Sequence, residues 1–309
     1  MNSSTLALTR WERLRRQGER WISAARPRTL FLAVSPVVAG IALAWFESGQ
    51  LAFWTALGTL VGATAIQIGT NLHNDAADFE RGTDTPDRLG PPRASAQGWF
   101  TPAQVKGAAH LAFLVAFLVG LLLVVRGGWP ILLLGLAAIV AGYAYTSGPR
   151  PIAYGPYGEL FVLAFFGVAA TAGSFYLQSL HLSASSLLLG LACGLPAAAV
   201  LLLNNYRDFD TDARAGRRTL NHLLGKARAR VLYAGLLLGC LPLFLLSAPL
   251  AHSWPALLAL PLAARLIRRL FQGAQGRALN ALLGQTALYQ VALVLLLSLG
   301  LAWGLAWPR

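Results

Sequence analysis

Apolar residues in this chain run in long unbroken blocks, and polar residues are confined to the gaps between them. Nine blocks stand out, at about 29–46, 52–74, 103–125, 129–147, 159–178, 185–206, 229–248, 253–270 and 284–306. Each has ~18 residues or more, enough to cross a hydrocarbon core of roughly 30 Å as a helix. Lipid offers no partner to an open backbone N–H or C=O, so a spanning segment closes its own hydrogen bonds as a helix. The blocks are continuously apolar rather than alternating, which excludes a membrane β-barrel. The pattern predicts an all-α integral membrane protein with nine transmembrane helices. Gln67, His73, His110, Gln178, Gln285 and Gln290 lie inside blocks and read as interhelical hydrogen-bonding groups facing the bundle interior.

The gaps alternate in character. Those after the first, third, fifth and seventh blocks are short and nearly uncharged. The N-terminal segment and the remaining loops hold 23 of the 25 Lys and Arg residues, leaving only Arg126 and Arg309 on the other side. The positive-inside rule then puts the N-terminus and the charged loops in the cytoplasm, with the protein in the inner (cytoplasmic) membrane. Residues 1–28 hold seven arginines and no long apolar core, unlike a signal peptide. They read as an amphipathic cytoplasmic segment, with Trp11 and Trp21 suited to the membrane interface. Residues 29–309 then form a single transmembrane domain.

Composition narrows the function classes. The 309 residues are 56% hydrophobic and 12% charged, about half the charge typical of a soluble domain. The net charge of +13 is a topology signal with some attraction to anionic lipid. No soluble domain is large enough to grip duplex DNA, so the bilayer, not nucleic acid, is the expected partner. Cys193 and Cys240 lie singly in apolar blocks, so neither a disulfide framework nor a zinc site is indicated.

Acidic residues follow another pattern. Eight of the twelve fall in two short segments on the same predicted face: Asp75, Asp78, Glu80, Asp84 and Asp87 after the second block, and Asp208, Asp210 and Asp212 after the sixth. On a continuing helix Asn71, Asp75 and Asp78 share one face, as do Asn205, Asp208 and Asp212. Carboxylates this close repel unless a cation intervenes. Hard oxygen donors suit Mg²⁺, which is usually held by one or two carboxylates together with substrate phosphates. Arg81, Arg88 and Arg93 flank the first motif, and Arg207, Arg214, Arg217, Arg218 and Lys226 the second. Guanidinium pairs bidentately with phosphate oxygens. Acids and bases together are what a metal–diphosphate complex requires.

The runs NLHNDAADFERGTDTPDRLGPPR (71–93), YAYTSGPRPIAYGPYGELFVLAFFGVAATAGSFYLQ (143–178) and NNYRDFDTDARAGRRTLNHLLG (204–225) resemble the intramembrane aromatic prenyltransferases, the 4-hydroxybenzoate-type superfamily. Within it they are most similar to the 1,4-dihydroxy-2-naphthoate branch. The resemblance covers residues 26–230, and beyond them only hydrophobic helices match. It implies a helical bundle around a central cavity with the active site at its cytoplasmic end, and Mg²⁺ bridging the diphosphate of a polyprenyl donor, with no organic cofactor. By motif position, Asn74, Asp75 and Asp78 form a first metal group, and Asp208 and Asp212 a second. Asn71, Arg88, Arg93, Asn204, Asn205, Arg207 and Lys226 are implied substrate or diphosphate contacts. Tyr145 and Arg150 fall near the reacting carbon. Two departures favour the naphthoate branch over the benzoate one. Gly82 stands where the latter has a third acid, with Asp84 two residues on, and Arg150 is the nearest base after the tyrosine where the latter has a lysine. The roles of Asp84, Asp87 and Asp210 stay open.

The implied reaction is electrophilic aromatic substitution: polyprenyl diphosphate ionises, and the ring of 1,4-dihydroxy-2-naphthoate attacks at its carboxylated carbon with loss of CO₂. The product is demethylmenaquinol, a step of menaquinone biosynthesis. Phe175, Tyr176 and Tyr145 are candidate aromatic faces for an allylic cation. Glu159 opens the fifth block, where a carboxylate suits a helix N-terminus. Two alternatives remain: a sibling enzyme acting on another aromatic ring, and a cation-coupled transporter. The acids lie at block ends with arginines alongside, whereas transporter sites lie near the bilayer midplane. No obligate protein partner is expected.

Overall fold

The computed structural model describes residues 10–84 and 88–306. Asp87 and Arg309, and residues 1–9 of the N-terminal segment, lie outside the described residues. The helices in chain order are α1 (Arg10–Ala25), α2 (Pro27–Ser48), α3 (Phe53–Glu80), α4 (Pro102–Gly127), α5 (Trp129–Ala144), α6 (Gly158–Val162), α7 (Ala170–Ser179), α8 (Ala184–Arg207), α9 (Phe209–Arg214), α10 (Leu220–Leu246), α11 (Leu250–Ser253), α12 (Leu260–Phe271) and α13 (Ala278–Ala306). A π-helical stretch, Leu163–Ala169, joins α6 to α7, and a 3₁₀ stretch, Trp254–Ala259, joins α11 to α12.

Each of the nine apolar blocks is helical. Seven of these helical segments are long and apolar enough by themselves to cross a membrane. The other two are α3, whose second half carries Gln67, Asn71, His73 and Asn74, and α5, which has only 16 residues. The protein is thus a multi-pass membrane protein in which α3 is more polar and α5 shorter than a self-sufficient span. The segment of the seventh block is broken at Gly225 (φ 72°, ψ 159°), so its apolar part starts only after the break.

Packing divides the bundle into a solid side and a hollow side. On the solid side α8, α10, α12 and α13 close around Leu202, Tyr233, Leu237, Phe244, Leu266, Tyr289 and Leu293, all nearly fully buried. Helix association in lipid depends on close contact rather than on the hydrophobic effect, so small residues mark the contacts. Gly40 of α2 meets the Thr171 carbonyl of α7, where a Cβ would collide. A Cβ at Gly167 would lie 2.5 Å from the Gly190 carbonyl oxygen of α8. That approach falls in the π-helical stretch, a type of distortion often placed at functional sites. On the hollow side α2, α3, α4, α5 and the α6–α7 segment leave an apolar cavity between them.

The polar residues inside the spans act as interhelical ties. Gln67 donates to Thr29 and Asn71, His73 pairs with Ser147, Gln178 bridges Ala52, Gln285 accepts from Arg269 and Gln290 donates to Ser35. His110 sits against the Tyr143 ring.

Candidate active site

α3 runs from the apolar cavity to the first acidic motif. Its residues Thr59, Gly62, Ile66, Gln67 and Thr70 line the cavity, and its last turns carry Asp75 and Asp78. The second motif differs from the single helical stripe read in the sequence. α8 ends at Arg207, the backbone turns at Asp208 (φ −93°, ψ 12°), and α9 follows. The Thr211 hydroxyl donates to the Asp208 carbonyl at this turn. Asp208 and Asp212 consequently face a recess shared with Thr83, Arg88, Arg93, Asn204, Thr211 and Arg217, so both motifs line one polar pocket.

One side chain ties the motifs together. Arg217 Nη2 lies 2.6 Å from Asp78 Oδ1, and its Nη1 lies 3.5 Å from Asp212 Oδ1. Arg93 Nη2 holds the other Asp78 oxygen at 2.8 Å, and its Nη1 donates to the Asn74 carbonyl. Asp84, an acid without a sequence assignment, is buried between Arg88 (2.7 Å) and Arg93 (3.2 Å). Arg207 is buried too, bonded to Asp208, Asn204 and Asn280.

The other expected site residues go to different places. Both Asp75 oxygens accept backbone N–H bonds, from Ala94 (2.8 Å) and Ser95 (2.9 Å), so Asp75 clamps the returning loop instead of lining the recess. Asn74 Oδ1 accepts from Thr146, and Asn71 Nδ2 donates to Ala25 and Thr29, tying the α1–α2 junction to α3. Asn205 donates to Glu159. Lys226 sits at the exposed rim over the Phe209 ring, 3.3 Å from Asp210. Arg150 is exposed in the loop after Tyr145. Tyr145 lines the cavity, together with Phe161, Phe165 and Phe166. Phe175 and Tyr176 do not line it: Phe175 belongs to the solid core, and the Tyr176 hydroxyl donates to the Gly127 carbonyl.

Charge is concentrated here. Burial pushes the Asp212 carboxyl up to about 6, although Arg217 beside it pulls the other way. Burial lowers Arg217, but Asp78 and Asp212 outweigh it and the guanidinium is held above its ordinary range. Burial and the neighbouring Arg93 lower Arg88. Arg26, in the left-handed conformation (φ 55°) between α1 and α2, is lowered to about 9 by burial and by Arg93 and Arg88. Such crowding of cations is relieved by a polyanion.

A divalent cation can be tested against this set. Among the described residues no group of three or more His, Cys, Asp or Glu side chains is placed to hold a metal unaided. The carboxylates are instead interleaved with guanidiniums. Asp84 Oδ2 and the Nε atoms of Arg88 and Arg217 are buried without hydrogen-bond partners, and Arg93 Nε has only the 3.2 Å ion-pair contact with Asp84 Oδ1. Hard oxygen donors beside unsatisfied guanidinium N–H groups fit Mg²⁺ that arrives with a diphosphate, because phosphate oxygens complete its coordination.

The sequence reading named Arg217 only as a neighbour of the second motif and left Arg26 and Thr83 without a site role. The Arg217–Asp78 contact joins residues 139 apart in sequence, and no local pattern announces such a pairing.

Comparison with known proteins agrees with this geometry. Residues 33–281 match the model of the UbiA prenyltransferase family. The chain is 40% identical to a 1,4-dihydroxy-2-naphthoate octaprenyltransferase of Mycobacterium tuberculosis, over 92% of this chain and 97% of that one. It is 38% identical to the protein of the same name from Escherichia coli, over 91% and 94%. Among solved structures, a UbiA homolog from Aeropyrum pernix superposes with a TM-score of 0.67 at 14% identity, covering 90% of this chain and 98% of that one. A UbiA homolog from Archaeoglobus fulgidus bound to DMAPP and Mg²⁺ superposes with a TM-score of 0.65 at 15% identity, covering 90% and 99%.

Proposed function

As the chain belongs to the UbiA prenyltransferase family, we propose that it transfers a polyprenyl group from polyprenyl diphosphate to 1,4-dihydroxy-2-naphthoate with loss of CO₂. The product is demethylmenaquinol, an intermediate of menaquinone biosynthesis. The observation that carries this reading is the adjacency of two compartments along α3: a polar recess built from both motifs and an apolar cavity lined by Tyr145. An amphiphile with a diphosphate head and an isoprenoid tail fits that division.

Asp78, Asp84, Asp208 and Asp212 are the residues that would hold Mg²⁺. When bound, that ion neutralises diphosphate charge and makes it a better leaving group. Arg88, Arg93 and Arg217 bind the diphosphate through buried N–H groups and stabilise the charge that grows on it as the allylic C–O bond breaks. Buried donors need no reorganisation at that moment. The cavity walls exclude water from the allylic cation, which would otherwise be quenched as an alcohol. Tyr145, at the boundary, offers its ring face to that cation. The electron-rich ring attacks, and the bond to the carboxylate breaks to restore aromaticity.

The distribution of Lys and Arg supports placing the recess on the cytoplasmic side of the inner membrane, with the N-terminus on that side. There both substrates reach it from the cytosol and the inner leaflet. The test is incubation of membranes carrying the protein with a panel of aromatic acceptors and labelled polyprenyl diphosphates of several lengths, with products identified by mass. A decarboxylated, prenylated naphthalenediol is expected. A product made only from another acceptor ring would move the protein to a sibling activity.

A further inference from the structure

Glu159 opens α6 and is only 6% exposed. Asn205 Nδ2 donates to its Oε1 at 3.0 Å. Its other oxygen, Oε2, is buried and has no hydrogen-bond partner. A buried acceptor left without a partner is destabilising, more so if charged, so the arrangement points to a donor that arrives from outside the protein.

The helix of Glu159 borders the apolar cavity, and its partner Asn205 follows Asn204, a residue of the recess wall. A Cβ on the preceding residue, Gly158, would lie 3.9 Å from the Tyr145 hydroxyl. Tyr145 lines the apolar cavity together with Phe161 and Val162 from the same short helix as Glu159.

Chemistry selects the missing donor. A polyprenyl diphosphate has no hydrogen-bond donor in its tail, and its head is an anion that a carboxylate repels. An aromatic acceptor carries ring hydroxyls, which are donors. We propose that Glu159 recognises a ring hydroxyl of the aromatic acceptor, accepting its hydrogen bond through Oε2 while Asn205 holds Oε1. The proposal rests on the prenyl-transfer reading above. It also orients the acceptor: the hydroxyl turns to Glu159, and the acceptor's own carboxylate, repelled there, turns to the arginines of the recess. As the ring carbon bonds to the allylic carbon, positive charge spreads to the ring oxygen and its O–H becomes more acidic. The hydrogen bond to Glu159 strengthens in the transition state, which speeds the step beyond simple binding.

The experiment uses the full chain in lipid nanodiscs. Glu159→Gln keeps the size and the Asn205 bond but presents an N–H where Oε2 accepted. With 1,4-dihydroxy-2-naphthoate, kcat/KM is expected to fall about 10- to 100-fold, the effect of losing one charge-assisted hydrogen bond. The KM for the prenyl donor stays within about twofold. The two monomethyl ethers of the acceptor give the decisive readout. Wild type rejects one of them by at least about tenfold, and Glu159→Gln loses that discrimination. A wild type indifferent to both ethers overturns the proposal without any variant. So does an equal loss of rate on hydroxy and methoxy acceptors, which would mark Glu159 as a support for the helix end. A wild type that prenylates no hydroxynaphthoate sinks the prenyl-transfer reading itself, and this proposal with it.

Discussion

Replacing Arg217 by alanine removes the side chain that joins the two motifs. Three interactions go at once: the 2.6 Å pair with Asp78, the 3.5 Å contact with Asp212, and the stacking over the Tyr154 ring at 4.7 Å. Asp78 keeps Arg93 at 2.8 Å and so retains one cation. The first pair is short and its carboxylate is buried, so it falls in the range of hydrogen bonds to charged groups, about 1.5–3 kcal/mol. The Asp212 contact is too long to add much. If Arg217 turns to the diphosphate during the reaction, the same range is lost from the transition state. At 1.36 kcal/mol per tenfold, that is roughly a 10- to 150-fold fall in kcat/KM for the prenyl donor. Arg217→Lys keeps the charge but loses the planar fork, and an intermediate loss is expected. The assay is donor titration of purified protein at saturating acceptor, alongside the thermal midpoint without substrates. A variant that remains folded and keeps kcat/KM for the donor within twofold of wild type would refute the placement of Arg217 on the diphosphate.

Further outcomes follow from the same geometry. Asp75→Ala strands the N–H groups of Ala94 and Ser95, each worth about 1–3 kcal/mol when buried and unpaired. Its thermal midpoint should therefore drop, whereas Asp208→Asn should stay folded and lose metal-dependent transfer. An Asp75→Ala protein as stable as wild type would remove the clamp role. Asp212 titrates near 6 in the fold through burial, against 3.8 outside it. The fold therefore binds the extra proton, and in chelator the protein should gain stability as pH falls from 7 towards 4, by at most about 3 kcal/mol. Asp212→Asn should flatten that dependence, and an unchanged pH profile would contradict the burial argument. Gly135 lines the cavity and a Cβ there meets nothing within 4 Å. Gly135→Leu should leave turnover of geranyl diphosphate intact while reducing that of long donors, and equal turnover of both would take the tail out of this cavity.

Much of the fold was legible because lipid permits few solutions: an apolar block of sufficient length has to be a helix. Boundaries departed where backbone geometry, not hydropathy, decides. The turn at Asp208 and the π-helical stretch at Leu163–Ala169 both lie inside runs that read as continuous. In the site, Asp78, Asp208 and Asp212 reach the recess region that their spacing suggested. Asn74 and Asp75 were read onto the same site by motif position, yet they serve the returning loop and Thr146. That loop folds back through Arg93, Ala94 and Ser95, a tertiary event that sequence periodicity does not encode. Asp84 and Arg217 belong to the recess for the same reason. Their partners are supplied by residues that only the folded chain brings near. Lys226 and Arg150 show the reverse case: near the motifs in sequence, they are placed at the rim and in an exposed loop.

The central claim joins prenyl transfer to decarboxylation at one ring carbon. Purified protein is given 1,4-dihydroxy-2-naphthoate labelled in its carboxyl carbon, a polyprenyl diphosphate and Mg²⁺, and released CO₂ is counted against prenylated product. The account predicts one labelled CO₂ per prenylated naphthalenediol, with both stopped by chelator and by omission of the donor. Label retained in a prenylated product, or transfer that continues at full rate in chelator, would contradict it.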